Sequence, residues 1–152
     1  MILRFIIFLV CNFAALGVGS IFTGKGVTSA WYQNLNQAPW TPPGWVFGAA
    51  WTTIMVCFSF YMMYQWEVND NKRLLLGLFC VQWILNVLWN PVFFKFHAVL
   101  PALMVILLLT FLVGYFLFAF FGLLKTKSFF ILPYFLWLLI ATSLNAFIFL
   151  KN

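Results

Sequence analysis

The sequence predicts an all-α integral membrane protein, a bundle of five transmembrane helices, on three observations. The first is composition: of 152 residues, 66% are hydrophobic and only 7% charged, with a mean hydropathy of +1.06. There are too few polar side chains to coat a soluble domain of this size. The second is segmentation. The apolar residues fall into five runs, each near the ~20 residues that a bilayer-crossing helix needs. Together they nearly exhaust the chain and leave no room for a soluble domain. The third is backbone chemistry. Unpaired peptide groups cannot sit in lipid, and no stretch shows the short alternating pattern of a barrel, so the spans are helices.

The first span covers residues 2–22. Arg4 followed by an apolar run and Ala15-Leu16-Gly17 also fits a secretory signal, but the run reaches a full membrane thickness and is read as a helix. The second span covers residues 43–65, and Thr41-Pro42 before it reads as a hydroxyl N-cap with proline in the first helical position. A turn from Glu67 to Arg73 holds both acids of the chain, Glu67 and Asp70. The third span covers 74–94 and the fourth 98–124; Lys125 to Ser128 form a turn, and the fifth span covers 129–150. Five spans place the two termini on opposite sides. Arg4, Lys72, Arg73, Lys125 and Lys127 share the amino-terminal side, against Lys25, Lys95 and Lys151 on the other. That bias predicts an inside amino terminus, with the loop of residues 23–42 outside.

This loop and the start of the second span carry WYQNLNQAPWTPPGWVFGAAW, from Trp31 to Trp51. It holds Trp31, Trp40, Trp45 and Trp51, half of the chain's 8 tryptophans, and Pro39, Pro42 and Pro43, half of its 6 prolines. The prolines fix backbone dihedrals and stiffen the loop. A long loop in a compact protein is usually a lid or a binding loop, and Trp31, Trp40, Pro42 and Pro43 are the candidate lid residues. Trp31, Trp40 and Trp45 also fit a plain interfacial aromatic belt. Trp51 lies too deep for a belt, roughly 10–14 Å into its span.

Counted from the loop side, Asn86 lies about 12 Å down the third span, Ala141 about 14 Å and Asn145 about 8 Å down the fifth, with Trp137 a turn deeper. Asn12 in the first span lies at about 15 Å. Gln82, Asn86 and Trp89 share one helix face, as do Trp137, Ala141 and Leu144. Indoles and a small alanine at one level suit a flat, mostly apolar slot with few polar groups. Gln82 and Asn12 fit interhelical hydrogen bonding as well as a pocket, and Gly17, Gly19 and Ser20 fit close helix packing better than widening of a slot.

Several chemistries are excluded. The net charge of +6 is scattered over span ends, so it reads as topology and not as a nucleic-acid surface. No acid lies within a span, so a proton-coupled exporter has no relay. Cys11, Cys57 and Cys80 fall in three spans without CxxC spacing and read as small hydrophobes. The single histidine, His97, reads as an interfacial or capping residue, not as a metal ligand, and no metal cluster or nucleophile–base pair can be assembled.

Three blocks carry a resemblance. The first is Trp31-Tyr32, Leu35, Pro39, Trp40, Pro42-Pro43, Phe47 and Trp51; the second runs from Gln82 through Trp89-Asn90-Pro91 to Phe93-Phe94; the third runs from Pro133-Tyr134 and Trp137 to Ala141-Thr142-Ser143-Leu144-Asn145-Ala146. In this order they resemble the translocator protein family, known in bacteria as tryptophan-rich sensory proteins, over nearly the whole chain. The resemblance implies a receptor or sensor in a bacterial cell membrane that needs no cofactor. Its ligands would be flat and hydrophobic, chiefly tetrapyrroles such as protoporphyrin IX, with benzodiazepine-type drugs as synthetic occupants. It places the ligand among Tyr32, Trp51, Asn86, Trp89, Trp137, Ala141 and Leu144, and it implies homodimers. Two other activities come with it: light-dependent porphyrin degradation, in which Trp51 and Trp137 would take part, and facilitated transport of hydrophobic ligands. Sterol recognition is not expected, because Leu144-Asn145 is followed by Ala146 where the vertebrate pattern has tyrosine.

Overall fold

The computed structural model describes residues 1–152, and its five long apolar helices match the five spans. They are α1 (Ile2–Gly26), α3 (Gly44–Val68), α4 (Lys72–Asn90), α5 (Val99–Ala119) and α7 (Leu132–Lys151); α2 (Ala30–Gln33) and α6 (Phe121–Leu124) are single turns. There are no strands. Neighbour contacts close the long helices into a ring in the order α1, α3, α7, α5, α4. Large apolar side chains point outward all round it: Phe111 is 74% exposed and Leu150 75%. Water would not tolerate that surface, whereas hydrocarbon does.

The end that holds the amino terminus is tied by the Arg4–Glu67 ion pair between α1 and α3. It is tied again by Lys72, whose ammonium donates to the carbonyls of Trp66 and Asn69 at the end of α3. The opposite end carries the loop of residues 23–42. Asn12 donates to Ser59 Oγ at 2.8 Å, so this buried asparagine joins α1 to α3. A Cβ built on Gly19 would lie 2.7 Å from Asn90 Nδ2, so this glycine serves close packing of α1 on α4; Gly17 faces open space.

Three boundaries differ from the sequence reading. Thr41 does not cap a helix: its hydroxyl donates to Ala38 O at 2.7 Å, and α3 begins at Gly44 behind an extended Pro43 (φ −61, ψ 151). The reason is local, because a residue that precedes proline is pushed out of the α region. Thr41 and Pro42 both precede proline, so no helix can start until both prolines are passed. The third span ends in a π turn, Pro91–Lys95, because Pro91 has no N–H for the regular ladder and Phe96 N–H bonds back to Pro91 O at 3.0 Å. The fourth span breaks at Phe120, and a 3-10 stretch from Lys125 to Ile131 turns the chain into α7. Phe-rich sequence on both sides of that break gave no sign of it.

Candidate ligand site

The loop is seated on the bundle, and the seat begins where α1 meets the π turn. A Cβ on Gly26 would lie 2.2 Å from the Phe94 ring, so the absence of a side chain lets α1 touch the π turn at the end of the third span. Ser29 then starts α2, its hydroxyl accepting the Tyr32 N–H at 3.3 Å. The short helix lays two rings on the aromatic π turn that follows α4 and on His97 beyond it. Trp31 stacks on His97 with centroids 4.1 Å apart and meets Phe93 edge-on at 5.4 Å. Tyr32 packs on Phe93 and Phe94 at 6.3 and 5.6 Å. Burial there holds the Tyr32 phenol above its ordinary value of 10.0. His97 itself adopts φ 53, which turns the chain between the π turn and α5.

Further along, the loop is clasped to the end of α7. Asn36 N–H donates to Asn152 Oδ1 at 2.9 Å, Asn36 Nδ2 donates to Lys151 O at 3.2 Å, and Asn152 Nδ2 donates to Asn36 O at 3.3 Å. Trp40 Nε1 donates to Ser143 Oγ at 3.1 Å, and its ring meets Phe147 edge-on at 5.4 Å. Trp45 is 75% exposed and touches none of these groups, as a belt residue would. Pro42 and Pro43 carry the chain from this contact into α3.

Beneath the loop, Trp89 stacks on Phe93 at 5.1 Å and donates to Asn145 Oδ1 at 3.1 Å; Asn145 in turn donates to Val99 O at 3.2 Å. Trp89 therefore links the aromatic seat of the loop to the interior. One turn deeper on α4 is Asn86, buried, with no hydrogen bond from its own side chain. Another turn down, Gln82 Nε2 donates to the Tyr134 hydroxyl at 2.7 Å, while Gln82 Oε1 has no partner. Trp51 meets the Tyr134 ring edge-on at 6.0 Å. Trp137 is buried against Phe47 at 5.3 Å with its Nε1 unpaired. Ala141 is half-buried against the main core, and Leu144 is buried.

The seven residues thus occupy two connected groups. Tyr32 and Trp89 belong to the cluster under the loop; Trp51, Trp137 and Ala141 border the main core, which Trp89 also reaches, with Asn86 and Leu144 buried nearby. Trp51 is not level with Ala141. It pairs with Tyr134, seven residues or about 10 Å deeper on α7. The helix ends are not flush: the loop descends along α7 as far as Ser143 before α3 starts, and Trp51 descends with it. Two open grooves lie at helix boundaries. One of about 380 Å³ between α3 and α7 is lined by Ala49, Thr53, Ile54, Leu136, Trp137 and Ile140 among others. One of about 640 Å³ between α5 and α7 has the Thr110–Thr142 hydroxyl pair in its wall.

Sequence reasoning missed Tyr134 as the partner of Gln82, although Tyr134 lies one turn from Trp137 on the same face. It missed Ser59 as the partner of Asn12, which matching depths of two lone polar residues would have suggested. The Asn36–Asn152 clasp had no sequence signal.

The three blocks that suggested a family therefore stand at the loop seat, the face of α4 and the face of α7. The profile of the TspO/MBR family matches residues 7–150. The chain belongs to the TspO/MBR family. Among its relatives, a tryptophan-rich sensory protein of Cereibacter sphaeroides is 35% identical over 115 residues, covering 76% of this chain and 72% of the relative. A tryptophan-rich protein TspO of Archaeoglobus fulgidus is 34% identical over 137 residues, 88% of this chain and 87% of the relative. The translocator protein of Homo sapiens is 30% identical over 133 residues, 84% and 78% of the two chains. Membership agrees with the five apolar helices: this TspO/MBR chain is an integral membrane protein.

Proposed function

We propose that this protein is a membrane receptor for flat hydrophobic ligands, chiefly tetrapyrroles such as protoporphyrin IX, and that benzodiazepine-type drugs occupy the same place. The ligand lies in the bundle interior among Tyr32, Trp51, Asn86, Trp89, Trp137, Ala141 and Leu144, beneath the loop of Trp31, Trp40, Pro42 and Pro43. One observation carries this reading: polar groups stand unpaired in the interior of the bundle. Trp137 Nε1 and Gln82 Oε1 have no partner, and the Asn86 side chain forms no hydrogen bond. In hydrocarbon no water can satisfy the two buried atoms, Trp137 Nε1 and Gln82 Oε1, and each such group costs several kcal/mol. An apolar plate with a few donors and acceptors meets both needs of the site.

The names of the relatives, sensory and translocator, support a role in perceiving or handling small molecules at a membrane. A protoporphyrin IX titration followed by tryptophan quenching tests the reading. Saturable quenching that weakens in Trp137→Phe and Asn86→Leu is expected; quenching linear in porphyrin, as lipid alone gives, would reject it. Light-dependent porphyrin degradation rests on the same residues, since Trp51 and Trp137 border one core cluster. Product analysis after illumination, with and without protein, separates turnover from binding. An inside amino terminus in a bacterial cell membrane and pairing into homodimers complete the proposal, checked by thiol labelling at the loop and by cross-linking in membranes.

A further inference from the structure

We propose that flat ligands enter the interior sideways from the bilayer through the groove between α3 and α7, where Trp137 Nε1 meets an acceptor atom on them. The inference rests on the proposed function and deepens it by naming the route and the donor.

The loop-side mouth is closed by several contacts that would have to break together. Asn36 and Asn152 are joined by reciprocal hydrogen bonds, Trp40 is bonded to Ser143, and Trp31 is stacked on His97. The side of the bundle is different. Between α3 and α7 a groove of about 380 Å³ opens outward where the lipid lies. Its α3 wall is low, because Ala49 and Thr53, one turn apart, are both small and exposed. Its α7 wall carries Leu136 and Ile140, 55% and 41% exposed, while Ile54 and Trp137, 1% and 7% exposed, form the floor. The groove therefore runs from lipid to an indole that belongs to the interior site.

Five of the eight tryptophans have no acceptor at Nε1, and only in Trp137 is that unpaired nitrogen buried. Trp40, Trp83 and Trp89 each place Nε1 on an acceptor, at 3.1, 2.8 and 3.1 Å, whereas Trp137 Nε1 is buried without one. Because Trp137 lines the floor of an apolar groove, a ligand that passes it into the interior meets a buried donor, which selects a flat apolar molecule with an acceptor, such as a ring nitrogen or a carbonyl. A hydrocarbon tail cannot satisfy it. Ligands of this class dissolve in the bilayer, so the groove meets them at a far higher concentration than the water-facing loop does.

The test compares plugs in the groove with loosened loops, in lipid nanodiscs, using protoporphyrin IX and stopped-flow tryptophan quenching. Ala49→Phe and Thr53→Phe place a ring over the groove at exposed positions, so two independent variants keep the fold and fill the passage. Asn36→Ala and Asn152→Ala release the loop. The expected result is that each plug slows association and dissociation several-fold with little change in affinity, while the loop variants associate at the parent rate. Plugged variants that associate at the parent rate would overturn the route. So would acceleration confined to the loop variants. If the parent protein shows no saturable quenching, the binding reading itself fails and the route falls with it.

Discussion

Gly26 offers the most direct test of how the loop is seated. Placing a methyl group there, Gly26→Ala, would bring Cβ to 2.2 Å from Phe94 Cδ1, 2.4 Å from Cγ and 2.5 Å from Cβ. Because Phe94 Cβ is fixed to its backbone, no ring rotation relieves the clash; α1 and the π turn must separate. Overpacking of this kind costs about 1–3 kcal/mol, and the involvement of backbone points to the upper half. Phe94 also supports Tyr32 and Trp89, so the separation should unseat α2. Gly17→Ala is the control, because nothing lies within 4 Å of a Cβ there. Without a clash it gains up to about 1 kcal/mol of helix propensity. Thermal unfolding in detergent should show Gly26→Ala melting well below the parent and Gly17→Ala at or above it. Amide exchange from Ala30 to Gln33 should rise in Gly26→Ala alone. If Gly26→Ala melts with the parent, the close contact of α1 with the π turn is not what holds the loop.

Tyr134→Phe removes the only side-chain partner of Gln82, whose Oε1 is already unpaired. Interhelical hydrogen bonds in membranes average about 0.6 kcal/mol with a maximum near 1.7, and the orphaned amide places this one at the upper end; adding Gln82→Leu should recover most of the loss in a double-mutant cycle. Ala141→Leu adds bulk on the face shared with Trp137, and protoporphyrin affinity should fall sharply while the protein stays folded; near-normal affinity in a folded variant would put the pocket elsewhere. Tyr32 supplies a pH test. Burial raises its folded-state pKa above the ordinary 10.0, so its contribution is intact below that pH and is lost as pH rises through the folded value. Loop protection should decline on that alkaline limb in the parent and not in Tyr32→Phe, as amide exchange or phenolate absorbance will show.

What the sequence made legible follows from how far each signal reaches along the chain. Span number and helix type depend on twenty-residue averages, so they were readable without any tertiary knowledge. Helix faces depend on 3.6-residue periodicity, and Gln82, Asn86 and Trp89 do share one: all three have contacts or burial on the interior side. Depth is another matter. It requires knowing where one helix stands against another, and here a contact between residues 103 apart, Trp40 Nε1 on Ser143 Oγ, fixes the start of α3 well below the end of α7. No local pattern announces such a contact. From Ser143 to Lys151 is eight residues, so α7 runs on past that contact by about 12 Å. Counting depths from flush ends therefore misplaced Trp51 by about the same amount. The correction has a functional side. It moves Trp51 next to Tyr134 and Gln82, so an indole, a phenol and an unpaired amide oxygen meet at one depth, with Trp137 one turn along α7. The groove between α3 and α7 reaches that depth as well, because Trp137 forms part of its floor.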